Sequence, residues 1–356
     1  MRKESRTFFA SLIAAPSLSG FEQPVQRVVR EWIAPYADTV TTDVNGNVIA
    51  ALNPSGTPRV MLAGHCDQIG LMVQHVTDEG YVQFSAVGGI DAGVVSGVRV
   101  FIHNRRGVVN GIIGRKPIHL QNPEERKGEK FELHRLWIDL GAGSKEAALK
   151  LVDIGDPISF ELGLFPLQGD LVAGPGMDDK AGVFVIMEAL RLLATGKIKP
   201  KCAVFAVSTV QEELGLRGAR TAAYAVDPQV GIAVDVTFAT DFPGVEKSQV
   251  GDIRVGKGPV IARGPNINPV LHGLMVAAAE KKKLPWQPEA VARATGTDAN
   301  AMQISREGVA AGLISVPNRY MHTSIEMISL EDLENTAILL AATVASITPK
   351  TDFTPM

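Results

Sequence analysis

The sequence predicts an α/β protein with a mixed sheet and helices on both faces, interrupted by a small β-rich insertion. Three patterns carry this expectation. Near-continuous apolar runs at Val60 to His65, Cys202 to Ser208 and Val230 to Asp235 read as buried parallel strands. Segments with helical spacing, about Lys180 to Thr195, Val270 to Lys282 and Leu330 to Ile347, alternate with them. Residues 69 to 166 differ: short β-runs are divided by glycines and charged turns.

In chain order, two helices are expected first, about Glu4 to Ala14 and Gln23 to Ala37. In the second, Val25, Val28, Val29 and Trp32 share one face. Asn45-Gly46 signals a hairpin, followed by a strand at Val48 to Leu52. The strand at Val60 ends on a histidine. The inserted segment contributes β-runs at Leu71 to His75, Tyr81 to Phe84, Arg99 to His103, Gly107 to Ile113, Arg135 to Asp139 and Pro157 to Phe160, with one helix about Lys145 to Leu151. Residues 1–68 and 167–356 then form one discontinuous domain, and 69–166 a second domain set within it.

Bulk composition narrows the function. Lys+Arg number 35 against Asp+Glu 38, with no block of like charge, which argues against nucleic acid or a membrane surface as partner. Two cysteines, Cys66 and Cys202, exclude a disulfide framework. Cys66 lies between His65 and Asp67, but strand alternation turns it from the face its neighbours share. The apolar patch from Phe8 to Ala15 follows Arg2 and Lys3 as a secretion signal would. Ser11 and Glu4 interrupt that pattern, and Phe8, Leu12 and Ile13 have helical spacing, so an amphipathic first helix is expected. No run reaches the roughly 20 apolar residues of a membrane span. The expectation is a soluble cytoplasmic protein.

Acidic and histidine residues gather at the ends of apolar runs: His65-Cys66-Asp67, Asp178-Asp179, Glu212-Glu213, Asp235 and His322. Sites in open α/β sheets form beyond the carboxyl ends of the strands, so one sheet can unite residues far apart in sequence. Singly, each has an ordinary reading. Asp178-Asp179 would cap the helix at Lys180, Glu212-Glu213 would be a solvated turn, and the histidines would be buried and hydrogen-bonded. Together they pose an electrostatic problem, because two carboxylates about 4 Å apart repel by roughly 4 kcal/mol at an effective dielectric near 20. Lys180 and Arg217 are the few cations nearby in sequence. A pair of divalent cations would supply the missing charge, and carboxylates with imidazoles suit Zn, Co or Mn in a hydrolytic site. His75, His103, His119, His134 and His272 lack acidic partners and are read as structural.

At this point the sequence resembles the tetrahedral (TET) aminopeptidases, also called glutamyl or deblocking aminopeptidases, among the dinuclear metallo-exopeptidases. The matching segments are Ala14-Ala15-Pro16 with Ser19-Gly20-Phe21-Glu22, Gly64 to Gly70, Gly176 to Gly182, Gln211 to Gly215, Asp235-Val236-Thr237, Gly296 to Ala299 and Met321-His322-Thr323. The resemblance implies two metal ions, zinc first, held by His65, Asp179, Glu213, Asp235 and His322. Asp179 would bridge both ions, His65 and Asp235 complete one site, and Glu213 and His322 the other. It implies Glu212 as general base and Asp67 behind His65, orienting its ring. It also implies a cis peptide bond after Asp178, a first-side-chain pocket near Gly296 to Ala299, a zinc-exopeptidase-like catalytic domain, and a PDZ-like inserted module that assembles the chain into a dodecamer. The implied activity is removal of N-terminal residues from short peptides. Three alternatives stand beside it: a glycoside hydrolase of endoglucanase type, a related dinuclear deacylase or dipeptidase, and a non-enzymatic assembly protein that keeps metals for structure, against which an intact Glu212 argues. The first usually needs an aromatic sugar platform, and aromatics are only 6% here, with three Trp.

Overall fold

The computed structural model describes residues 1–122, 132–197 and 199–355. The opening helix Lys3–Ala14 buries Phe8, Phe9, Leu12 and Ile13, and Phe8 stacks on Trp32 with ring centroids 4.6 Å apart. The second helix, Gln23–Ile33, stops short of the expected Ala37, and Ala34–Tyr36 tightens into a 3₁₀ turn around Pro35. Proline cannot donate the helical hydrogen bond. The Asn45-Gly46 signal does form a hairpin. Asp43 Oδ1 accepts from the N–H groups of Asn45, Gly46 and Asn47, and Gly46 adopts φ +102°, open to glycine at little cost.

Strands β1 (Thr39–Thr42), β2 (Val48–Leu52) and β3 (Arg59–His65) begin the main sheet. The chain then leaves it. Strands β4 (Gly70–Val76), β5 (Val82–Val87), β6 (Arg99–Asn104), β7 (Gly107–Gly114), β8 (Trp137–Asp139) and β9 (Pro157–Phe160) close into a barrel of order β4-β5-β8-β7-β6-β9. Its interior is a separate apolar cluster that includes Leu71, Val82, Ile102, Ile138 and Ile158. After β10 (Phe165–Pro166) and β11 (Leu171–Ala173), the main sheet resumes with β12 (Ala203–Thr209), β13 (Val230–Phe238), β14 (Val260–Arg263), β15 (Gln287–Ala290) and β16 (Ala310–Asn318). β17 (Met327–Ser329) joins β10 and β11 in a three-stranded sheet.

The main sheet has the order β1-β2-β12-β3-β13-β16-β14-β15. Its centre, β12-β3-β13-β16, is parallel. β2 and β14 run antiparallel to their inner neighbours, so the sheet is mixed. Two glycines show that helices cover both faces. A Cβ on Gly64 would stand 2.7 Å from the Gly182 carbonyl carbon in helix Met177–Thr195, whereas one on Gly231 would stand 2.9 Å from Met302 Sδ in helix Asp298–Gln303. Gly231 registers with Met61 on β3. Side chains alternate along a strand, so Gly64 and Gly231 look to opposite sides.

β14, β15 and β16 were not anticipated. In β16, Ala310, Ala311 and Gly312 dilute the apolar run, although most of the strand is buried. The Lys145 helix ends at Leu149. No described helix is long and apolar enough to cross a membrane.

Candidate active site

The parallel strands deliver the cluster at their carboxyl ends, where α/β sheets place their sites. His65 ends β3, and Asp235 lies near the end of β13. Both face the side covered by helix Asp298–Gln303, because His65 is in phase with Met61 and Asp235 with Gly231. His65 Nε2 lies 3.0 Å from Asp178 Oδ1, 3.8 Å from Glu212 Oε2 and 3.9 Å from Asp235 Oδ1. His322 Nε2 lies 3.3 Å from Asp178 Oδ2 and 3.4 Å from Glu213 Oε1. All the residues singled out from the sequence therefore meet in one place.

Their arrangement differs from the expectation at one point. Asp179 was expected between the two histidines, but Asp178 stands there, with one oxygen toward each imidazole. The Asp179 carboxylate accepts from the Gly182 N–H at 2.8 Å and the His65 N–H at 3.2 Å. The physical reason is the chain path. Gly176 takes φ +74°, and Asp178 and Asp179 are both non-helical, so regular helix starts only at Lys180. Asp179 then sits where an N-cap sits, bonded to the third residue of the helix, and the residue before it projects between the histidines. The Asp178–Asp179 peptide bond is cis. An Asp179 oxygen also lies within 4.8 Å of ligand atoms of His65 and Asp235, and an Asp178 oxygen within the same distance of His65 and Glu213.

Gly182 is part of this construction. A Cβ there would lie 2.2 Å from Asp179 Oδ2. Gly182→Ala would ordinarily favour a helix by about 1 kcal/mol. Here it is expected to lower stability by about 1–3 kcal/mol, as overpacking does. A denaturation midpoint at or above that of the parent protein would contradict this.

Asp67 stands behind His65. Its carbonyl is 3.0 Å from His65 Nδ1, and Oδ1 is 3.5 Å away. Its carboxylate also accepts from the N–H groups of Glu212 and Glu213 and from Ser19 Oγ. One buried acid thus fixes a histidine ring and the backbone of both glutamates. Glu22 extends the grip, accepting from the Gln211 N–H at 3.3 Å.

Sequence reasoning gave no role to two buried acids, Glu326 and Glu22, and named a third, Asp298, only within the implied first-side-chain pocket. Glu326 accepts from the N–H groups of His322 and Asp178. Asp298 receives the Thr209 hydroxyl. Glu22 matched a family segment but was given no role. Spacing alone offered one clue, since Glu326 follows His322 by four residues.

The electrostatics show what this cluster lacks. Burial, with Asp235 and Asp178 adding to it, drives the Asp179 carboxyl well above its usual range. Burial does the same to Asp235, and lifts Glu212 to about 9 and Glu326 to about 8. Burial alone would raise Asp178 too, but hydrogen bonds from His322 and His65 hold it well below the normal value. His322 rises to about 11 through its bonds to Asp178 and Glu213. For His65, burial opposes the charge, but Glu212, Asp178, Asp67 and Asp235 outweigh it and raise the ring. The two cations near in sequence do not relieve the crowding. Lys180 Nζ is buried against Ala15 O and Gln68 Oε1, and Arg217 reaches Gln211. Without a cation, the acids must bind protons to coexist. Oxygen and imidazole donors with excess buried negative charge fit a divalent ion, which would displace those protons. Cys66 belongs to neither group of candidate ligands.

A sheet that presents buried carboxylates and imidazoles at its parallel ends defines a candidate metallohydrolase of the α/β class. Residues 46–339 match the model of the M42 glutamyl aminopeptidase family, and the chain belongs to that family. It is 38% identical over 346 residues to the lysyl aminopeptidase of Pyrococcus furiosus, spanning 97% of both chains. Among solved structures it is similar to a TET aminopeptidase from the marine sediment archaeon Thaumarchaeota archaeon SCGC AB-539-E09, with TM-score 0.93, 34% identity and 98% of both chains covered. It also resembles the Pyrococcus horikoshii TET1 peptidase, which can assemble into a tetrahedron or a large octahedral shell. That match has TM-score 0.85 and 32% identity, and covers 96% of this chain and 100% of the other.

Proposed function

We infer that the chain is a metal-dependent aminopeptidase that removes the first residue of short peptides. The observation that carries the reading is Asp178, one carboxylate with an oxygen toward each of two imidazoles, inside a buried acidic cluster with no Lys or Arg ion pair among the described residues. His65 and Asp235 would complete one ion position, and Glu213 and His322 the other, with Asp178 shared between them. Asp179 holds the turn from which Asp178 projects. Held by these residues, two divalent ions, zinc first and cobalt or manganese next, would supply Lewis-acid polarisation of the peptide carbonyl and would lower the pKa of a water.

The remaining work falls to the protein. Glu212 takes the proton of the attacking water and returns it to the leaving amine. Its backbone N–H is bonded to Asp67, which also lies against the His65 ring, so base and histidine share one support. The free α-amine of the substrate is attracted to the surplus acidic charge, which favours action at chain ends. Gly296 to Ala299 lie close by through Asp298, whose partner Thr209 registers with His65 on the sheet.

Residues 69–166 are proposed as the assembly module, giving a tetrahedral dodecamer. Exposed Val108 and Ile112 point the same way from β7, and Ile118 and Leu120 follow, all more than half exposed. These exposed apolar side chains are taken as part of that contact surface. The behaviour of the Pyrococcus horikoshii relative supports assembly.

Hydrolysis of free aminoacyl chromogenic substrates is expected to vanish with EDTA and to return with Zn, Co or Mn, while acetylated analogues are refused. Activity that survives complete metal removal, or a preference for the blocked substrates, would overturn this reading.

A further inference from the structure

Beyond Asp235, β13 continues to Thr237, which shares its face of the sheet and lies about 7 Å further along. Thr237 is buried, and its hydroxyl donates to Glu289 Oε1 at 2.6 Å. Glu289 comes from the edge strand β15, where it registers with Ala262. An acid from the far edge of the sheet therefore meets the strand that carries Asp235, two residues beyond it.

This acid is treated differently from its neighbours. Asp241 is held by Arg319 through a forked pair. Asp252 is held by Arg254 and Lys247. Glu289 has no ion pair with any Lys or Arg among the described residues, and its one hydrogen bond is from a neutral hydroxyl. Burial pushes its carboxyl above the usual range, with the Thr237 bond opposing. A shielded carboxylate without a cation is costly, and the mechanism proposed above does not use it. The side chain of the first residue must lie to one side of the scissile bond. A cationic head on a flexible four-carbon stem is well suited to reach a carboxylate set back from it.

We propose that Glu289, aligned by Thr237, is the specificity-determining residue that selects peptides beginning with Lys or Arg. The inference rests on the aminopeptidase reading and adds the substrate class. A site built around a group that must be paired rejects substrates that cannot pair with it.

The test uses the metal-loaded full chain and Lys-, Arg-, Leu- and Glu-p-nitroanilides. The parent enzyme is expected to favour Lys and Arg over Leu and Glu by roughly tenfold or more in kcat/KM. Glu289→Gln keeps the size of the side chain and its bond to Thr237. It is expected to reduce the Lys-to-Leu ratio by roughly 10- to 100-fold, mainly through KM for Lys. Glu289→Lys should turn the preference toward Glu. As a readout independent of the variants, L-lysinamide should compete more strongly than L-leucinamide against the parent enzyme. A parent enzyme that prefers Leu or Glu would overturn the assignment, as would a Gln variant that loses Lys and Leu turnover by the same factor. An enzyme silent toward every aminoacyl substrate would instead end the aminopeptidase reading, and this inference with it.

Discussion

Glu212→Gln is expected to retain its metal complement and lose roughly 10²- to 10⁴-fold in kcat, the usual share of a general base. The amide has the size of the acid, and the backbone bond from Glu212 to Asp67 does not depend on the side chain. Folding and metal uptake should therefore survive. Only the proton acceptor is lost. Burial and the surrounding acids raise Glu212 to about 9 when no cation is near, and divalent charge beside it would draw it back toward the working range of a base. Elemental analysis and kcat on one preparation check this. Near-normal turnover with metal bound would remove Glu212 from the role, and loss of metal would make it a ligand.

Asp178→Asn should behave in the opposite way. Asp178 faces both imidazoles, so neutralising it weakens both ion positions together. A loss of roughly 10²-fold or more in metal affinity is expected, since disturbing even an outer partner of a ligand costs 10- to 100-fold. Turnover should fall with it. Asp179→Asn is the control, because its carboxylate is committed to the Gly182 and His65 N–H groups. It should lose less metal than the Asp178 variant. If elemental analysis gave the reverse order, Asp179 would regain the bridging place.

The sequence already displayed the frame of this site. β3, β12 and β13 are buried on both faces, so their apolar runs are unbroken and easy to read, and His65 and Asp235 stand at the ends of two of them. The Glu212-Glu213 pair was visible as charge where none was needed. The division of labour between Asp178 and Asp179 was not visible. Adjacent residues of one type are told apart by the backbone alone, here by a left-handed Gly176 and two non-helical residues before the helix. Glu326 was hidden for another reason. It serves through backbone N–H groups, which leave no mark on composition. Glu289 lies on a short edge strand that contains Pro288 and carries no periodic signal.

The position of β3 bears on how the chain matures. Both of its neighbours, β12 and β13, lie beyond the barrel in the chain. As the polypeptide emerges from the ribosome, β3 must wait, unpaired and apolar, while the whole barrel is made. The barrel strands find their partners within their own stretch and can close early, whereas the sheet depends on distant pairings that form slowly. A destabilised barrel would then lengthen the interval in which Val60 to Ala63 stand open to misassociation, and low yield of intact protein would appear before any loss of catalysis.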